Sequence, residues 1–177
     1  KRGLPGTKNT PEAVQFLTSK DVIELYEKYR VLNKSELHAK QEIRLEAYIK
    51  TKVIELKLLK EMALTGIVPA LVRQLNELGS AQQTLEKAKA GAGAKVLSDQ
   101  IKEGGKILKD IYSGASQVEK VLKMYCTEKS SLKEAAILAD KGVLALDSLR
   151  QACDLAEAIV DQSRWPFPSY RDMLFLL

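Results

Sequence analysis

Side chains that titrate, attack or ligate are few in this sequence, and their spacing is poor for chemistry. His38 is the single histidine among 177 residues, so a two-histidine metal site cannot form within one chain. It lies near a helix start among polar neighbours and reads as solvent-exposed. Cys126 and Cys153 are far apart, with no CxxC and no histidine nearby. That spacing argues against structural zinc or a redox pair, and both read as buried free thiols of a reducing compartment. Glu42, Glu46 and Glu55 lie close together along one helical stretch and raise the question of a carboxylate metal site. Bundle di-metal sites take a Glu-x-x-His pair from more than one helix, which one histidine cannot supply. These glutamates instead read as surface carboxylates paired with lysines three or four positions away. The run AGAGAK (90–95) is glycine-rich but lacks the GxxxxGK[ST] spacing and follows no strand, so it reads as a turn rather than a phosphate loop. Catalytic, cofactor-binding and metal-ligating residues are therefore expected to be absent from this chain.

The elements that hold these residues are helices. Hydrophobic residues make up 45% of the chain but aromatics only 6%, so the core is expected to be Leu, Ile, Val and Ala on a Lys/Glu-rich helical scaffold. β-branched runs bounded by turn residues are nearly lacking. The net charge of +5 is spread among acidic residues, the pattern of a solvated helix face, and argues against a nucleic-acid or membrane surface. No apolar run approaches the roughly 20 residues of a membrane span. The N-terminal KRGLPGTKNTP lacks the apolar stretch of a signal peptide and carries no initiator methionine. These features suggest a cytoplasmic chain cut from something longer.

Residues 1–9 read as a linker and 10–177 as one helical domain. Thr10 is placed to cap a short helix with Pro11 in its first turn. After Ser19, a second short helix carries Val22, Leu25, Tyr26 and Tyr29 on one face. Asn33 with Glu36 resembles a capping box and opens the longest stretch. There Leu45, Ile49, Val53, Leu56, Leu59 and Ala63 form one apolar stripe. Ile43, Ala47, Ile54, Leu58 and Met62 form a second, and two stripes predict a helix packed on a broad face at the centre of the bundle. Gly66 and Pro69 are expected to break or kink it. A further segment, about 68–90, leads to the 90–93 turn. A heptad seam then runs Leu97, Ile101, Gly104, Leu108, Ile111, Ala115, Val118, Leu122, Tyr125. The Gly104-Gly105 pair within it fits either a close helix approach or a bend. Ser130 or Ser131 can cap a last long helix whose alanine-rich seam includes Ala135, Ala139, Val143, Leu149, Cys153, Ala156 and Val160. The fold class is thus all-α: an antiparallel bundle of three to four long helices, short flanking helices and a proline-aromatic C-terminal corner.

Three stretches carry a resemblance. LPGTKNTPEAVQFLTS (4–19) is similar to the segment after the catalytic domain of type III glutamine synthetases. The run from Val31 to Leu56, with GIVPALV shortly after, resembles a spaced series in that family, matched here by Glu36, Glu42, Glu46, Tyr48, Glu55 and Pro69. The final WPFPSYRDMLF resembles the family's ending through Trp165, Pro166, Pro168, Tyr170 and Phe175. Ala39-Lys40 and Gln41 depart from the serine-arginine pair and tyrosine expected there. The resemblance implies a parent enzyme that ligates ammonia to glutamate with ATP and Mg or Mn in a double-ring homo-oligomer. Its catalytic residues would lie in an upstream domain. This chain would then be a helical C-terminal region, without cofactors of its own, supporting structure or assembly. Its partners would be the catalytic domain and neighbouring subunits, with no nucleic acid or membrane.

The tail fits that picture. Pro166 and Pro168 bar helix through the corner, Ser169 can cap a last short helix, and Trp165 is expected to dock within the chain. The alternative is a free-standing coiled-coil-like interaction protein whose seams pair with partner helices.

Overall fold

The computed structural model describes Gly3, residues 6–168 and residues 170–174, with Tyr170 and Arg171 as backbone only. All regular structure among them is helical, the all-α class expected from composition. The helices are α1 (Thr10–Gln15), α2 (Lys20–Lys28), α3 (Lys34–Met62), α4 (Val68–Lys87), α5 (Gly91–Tyr125), α6 (Ser131–Ile137), α7 (Val143–Glu157) and α8 (Tyr170–Leu174). Residues 1–56 and 119–144 form one compact unit, and residues 57–118 and 145–177 a second.

In the first unit the buried side chains are Pro11 and Val14 of α1, Leu37, Leu45, Ile49 and Leu56 of α3, and Val121, Ala135 and Leu138. Each fully buried leucine contributes roughly 1.5–3 kcal/mol. α1 begins one residue earlier than expected. Asn9 is its cap, accepting from Glu12 N–H at 2.9 Å while its own Nδ2 donates to Glu12 Oε1 at 2.9 Å. Thr10 becomes the first helical residue, because an asparagine side chain reaches the free N–H groups better than a threonine does. α2 turns Val22, Ile23 and Tyr26 partly inward but leaves Leu25 and Tyr29 exposed, so its covered face is narrower than expected. Gln41, where the family resemblance called for tyrosine, ties α3 to the first segment. Its Nε2 donates to Val14 O at 3.2 Å and to Thr18 Oγ1 at 3.0 Å.

One stripe of α3 packs as expected: Leu45, Ile49, Leu56 and Ala63 are buried. The other does not. Ile43, Ile54 and Leu58 are 68%, 63% and 51% exposed. The reason is rotational: residues two apart on an α-helix are separated by about 200°, so Ile43 lies opposite Leu45 and Ile54 opposite Leu56. The two stripes are therefore opposite faces rather than one broad face; the second stays exposed from Ile43 to Leu58 and is half-buried only at Met62.

In the second unit α5 is antiparallel to both its neighbours. Gly93 meets Leu85 of α4 and, further along, Gly104 meets Leu75, so α4 descends as α5 ascends. Gly104 also approaches Ile159, and Gly114 approaches Leu149 of α7, giving the same reversal. A Cβ on Gly104 would collide with Leu75 Cδ2, so close approach, not bending, accounts for that glycine. The expected seam of α5 points inward, with Gly104, Ile111, Ala115 and Val118 buried. α7 buries Ala145, Leu149, Ala152, Cys153 and Ala156.

The turn between α4 and α5 is not made by the glycines of the 90–93 run. Lys89 takes the left-handed conformation, φ 58°. Ala90 N–H bonds Leu85 O at 2.9 Å and Lys89 N–H bonds Glu86 O at 3.0 Å, a Schellman ending. α2 ends in the same way at Arg30, φ 55°. Gly91 and Gly93 instead sit in the first turn of α5.

Candidate functional site

Most of the family-like residues on α3 are accounted for by local helix physics. Glu36 Oε2 accepts from Asn33 N–H at 2.7 Å and Asn33 Oδ1 accepts from Glu36 N–H at 3.0 Å, a complete capping box. Glu46 pairs with Lys50 at 3.0 Å and Glu55 with Lys52 at 2.7 Å; Glu42 is exposed. Tyr48 is half-buried, and burial holds its hydroxyl pKa above the ordinary value. Lys52 opposes that shift, while Glu55 and Asp140 add to it. His38 is exposed, as its polar surroundings suggested. The two thiols differ: Cys153 is buried but Cys126 is exposed. Cys126 directly follows the last residue of α5, in the turn that leads to α6.

Pro69 neither ends nor sharply breaks the helical path. Between α3 and α4 the chain forms a π-helical turn, Ala63–Ile67, in which Val68 N–H reaches Ala63 O, five residues back. Widening the turn gives the proline ring room against the carbonyl four residues before it. A second π turn, Leu138–Gly142, joins α6 to α7. Its only sequence signal is Gly142, which carries no proline beside it.

The Pro69 turn is also where the C-terminal corner seats. Gly66 leaves just enough space for the corner: a Cβ there would stand 2.9 Å from Phe167 Cζ and 3.3 Å from Pro166 Cγ. Trp165 and Phe167 pack edge to face, with centroids 6.4 Å apart and planes at 81°. Upstream, Asp161 caps the short turn Gln162–Arg164, accepting from Ser163 N–H at 2.8 Å. Those bonds from Ser163 hold its carboxyl pKa below the usual value, and the charge of Arg164 adds to the effect. Arg164 Nη1 lies 2.5 Å from Glu77 Oε2 on α4, and Asp161 N–H donates to Gln74 Oε1 at 3.4 Å. Trp165 therefore docks within the chain, as expected. Pro166 and Pro168 are exposed, Tyr170 opens α8, and Ser169 and Phe175 lie outside the described residues. From sequence Gly66 reads as a breaker, and nothing local marks Gln74 or Glu77 as partners of the corner. Only the unusual glycine before a helical proline hinted at a seat.

Beneath the corner is a pocket of about 200 Å³ bordered by Leu59, Met62, Ile67, Cys153, Trp165 and Phe167. Arg150, Asp154 and Glu157 of α7 also border it, and Arg150 Nε lies 3.7 Å from Asp154 Oδ2. Among the described residues no group of three His, Cys, Asp or Glu side chains is placed to hold a metal ion, and no helix is long and apolar enough to cross a membrane.

Comparison with known proteins supplies what the geometry does not. A family model described as the glutamine synthetase C-terminal domain matches residues 1–86. A glutamine synthetase of Butyrivibrio fibrisolvens is 28% identical over the whole of this chain. One from Bacteroides fragilis is 30% identical over 99% of it, and a type-3 glutamine synthetase of Dictyostelium discoideum is 26% identical over 99%. The chain is similar to the C-terminal region of glutamine synthetases, a type-3 enzyme among them. It spans about a quarter of the length of each of these relatives. The similarity thus runs through residues 87–160, where no short motif stood out in the sequence. In this chain the family-like residues serve as caps (Glu36), surface pairs (Glu46, Glu55), a π-turn proline (Pro69) and corner residues (Trp165, Pro166, Pro168).

Proposed function

We propose that this chain is the structural, assembly-supporting part of a glutamine synthetase whose catalytic residues lie in an upstream domain. The whole protein would join ammonia to glutamate using ATP and Mg or Mn, in the cytoplasm and as a homo-oligomer. The observation that carries this reading is the extent of the similarity: essentially the whole chain aligns, to only about a quarter of each relative. The exposed isoleucines of α3 support a role in assembly. Ile43 and Ile54 present an apolar face that the rest of a larger protein would cover.

The test is the native polypeptide. An antibody raised against the chain is used on lysate of the source organism, and the precipitate is assayed for glutamine formation. The expected band is about four times the 19.7 kDa of this chain, with ATP- and metal-dependent glutamine synthesis in the precipitate. In that longer protein, removal of this region should shift sedimentation toward smaller species. A native band at 19.7 kDa would overturn the reading and favour a free-standing helical interaction protein.

A further inference from the structure

After Val160, every described side chain is exposed or half-buried, although this segment roofs an apolar pocket. Leu59, Met62, Ile67 and Cys153 supply its apolar floor beside Arg150, Asp154 and Glu157 of α7, with Trp165, Phe167 and Pro168 closing it next to Met173 of α8. Floor and roof are held very differently. Ile67 and Cys153 are buried within continuous helical structure. The roof's backbone bonds close on itself, with Arg164 and Trp165 N–H both returning to Asp161 O. Pro166 and Pro168 have no N–H to donate to the body. Among the described residues its polar ties to the helices are peripheral: the Arg164–Glu77 ion pair and the long bond from Asp161 N–H to Gln74, with the Trp165 and Phe167 rings packed over the pocket and on Gly66. A segment with half-buried contacts and self-contained backbone bonds opens at a lower free energy than the helices beneath it.

We infer that Asp161–Pro168 is a strap that lifts away as a local unit, uncovering the apolar floor around Cys153 while the helices stay folded. Among the described residues Glu77 and Gly66 are two of its fastening points. The first is an ion pair on the α4 surface, and the second is a seat whose shape depends on having no side chain.

Cys153 reports the opening directly. In the 177-residue chain with Cys126→Ser, the rate of its reaction with a disulfide thiol reagent is followed across a urea series at fixed pH. Local opening predicts a rate nearly independent of urea at low concentration, turning steep only where the whole fold unfolds. Glu77→Gln should raise the low-urea rate about twofold or more. Gly66→Ala, which pushes the ring off its seat, should raise it roughly tenfold. A labelling rate that follows global unfolding throughout the urea series would overturn the proposal, as would a Glu77→Gln rate equal to that of the parent. If Gly66→Ala does not fold, Glu77→Gln still decides, because Glu77 is exposed and does not border the pocket.

Discussion

Three glycines of α5 should respond to the same substitution in three ways, and Gly114 is the most informative. Alanine within a helix is favoured over glycine by about 1 kcal/mol, so propensity alone predicts that Gly114→Ala stabilises. The surroundings predict the reverse. A Cβ at Gly114 would lie 3.0 Å from Leu149 Cα and 3.1 Å from its Cβ, whereas carbon pairs rest about 3.5–4.0 Å apart. The obstacle is backbone, so no rotamer change relieves it, and Leu149 is fully buried. α5 and α7 must separate by several tenths of an ångström here, loosening the packing of both. Overpacking of this kind costs about 2–3 kcal/mol, leaving a net loss of roughly 1–2 kcal/mol after the propensity gain. In a domain of this size that is a fall in Tm of about 3–6 °C. Gly105→Ala meets nothing within 4 Å and should gain about 1 kcal/mol. Gly104→Ala meets the tip of Leu75 and should fall between them, because a flexible side chain can turn aside. Urea denaturation followed by far-UV circular dichroism gives all three differences from the midpoints. If Gly114→Ala proves as stable as the parent, the close packing of α5 on α7 is refuted.

Other perturbations test the local chemistry. Lys89→Gly removes a left-handed lysine and should stabilise by about 0.5–1 kcal/mol, the relief at that position exceeding glycine's entropic cost. Thermal melts compare it with Lys89→Ala, which should gain nothing. Asn33→Ala breaks the capping box of α3 and should cost about 1 kcal/mol by urea titration. Burial raises the Cys153 thiol pKa to about 11 from 9.0. The folded state therefore holds a proton that the unfolded state releases, and stability present below pH 9 should decline as pH rises toward 11. The loss is at most about 2–3 kcal/mol, and Cys153→Ala should lack it when midpoints are compared at pH 8 and pH 11.

Local interactions wrote much of this molecule in plain view. Caps, Schellman endings and apolar spacing act within a few residues, so the all-α class, the helix start at Asn33 and the inward seam of α5 follow from neighbours along the chain. Even Glu46 and Glu55 of α3 do locally what their spacing suggests, pairing with lysines within one turn. Apart from the α1 cap and the turn at Lys89, which are local, the misreadings share a cause. Which face of α3 is covered, whether Cys126 or Cys153 is shielded, and what Gly66, Gly104 and Gly114 accommodate all depend on the distance to another element. No periodicity encodes that distance. A glycine in a helix reads alike whether it faces water, as Gly105 does, or the backbone of Leu149, as Gly114 does. The C-terminal corner shows both sides of this division. Its prolines guarantee from sequence that the helix stops, because proline fixes φ and lacks an N–H. Where the corner lands, on a side-chain-free seat beside Pro69 with Glu77 as its tether, is set by contacts some 90–100 residues away along the chain, and only the tertiary fold decides it.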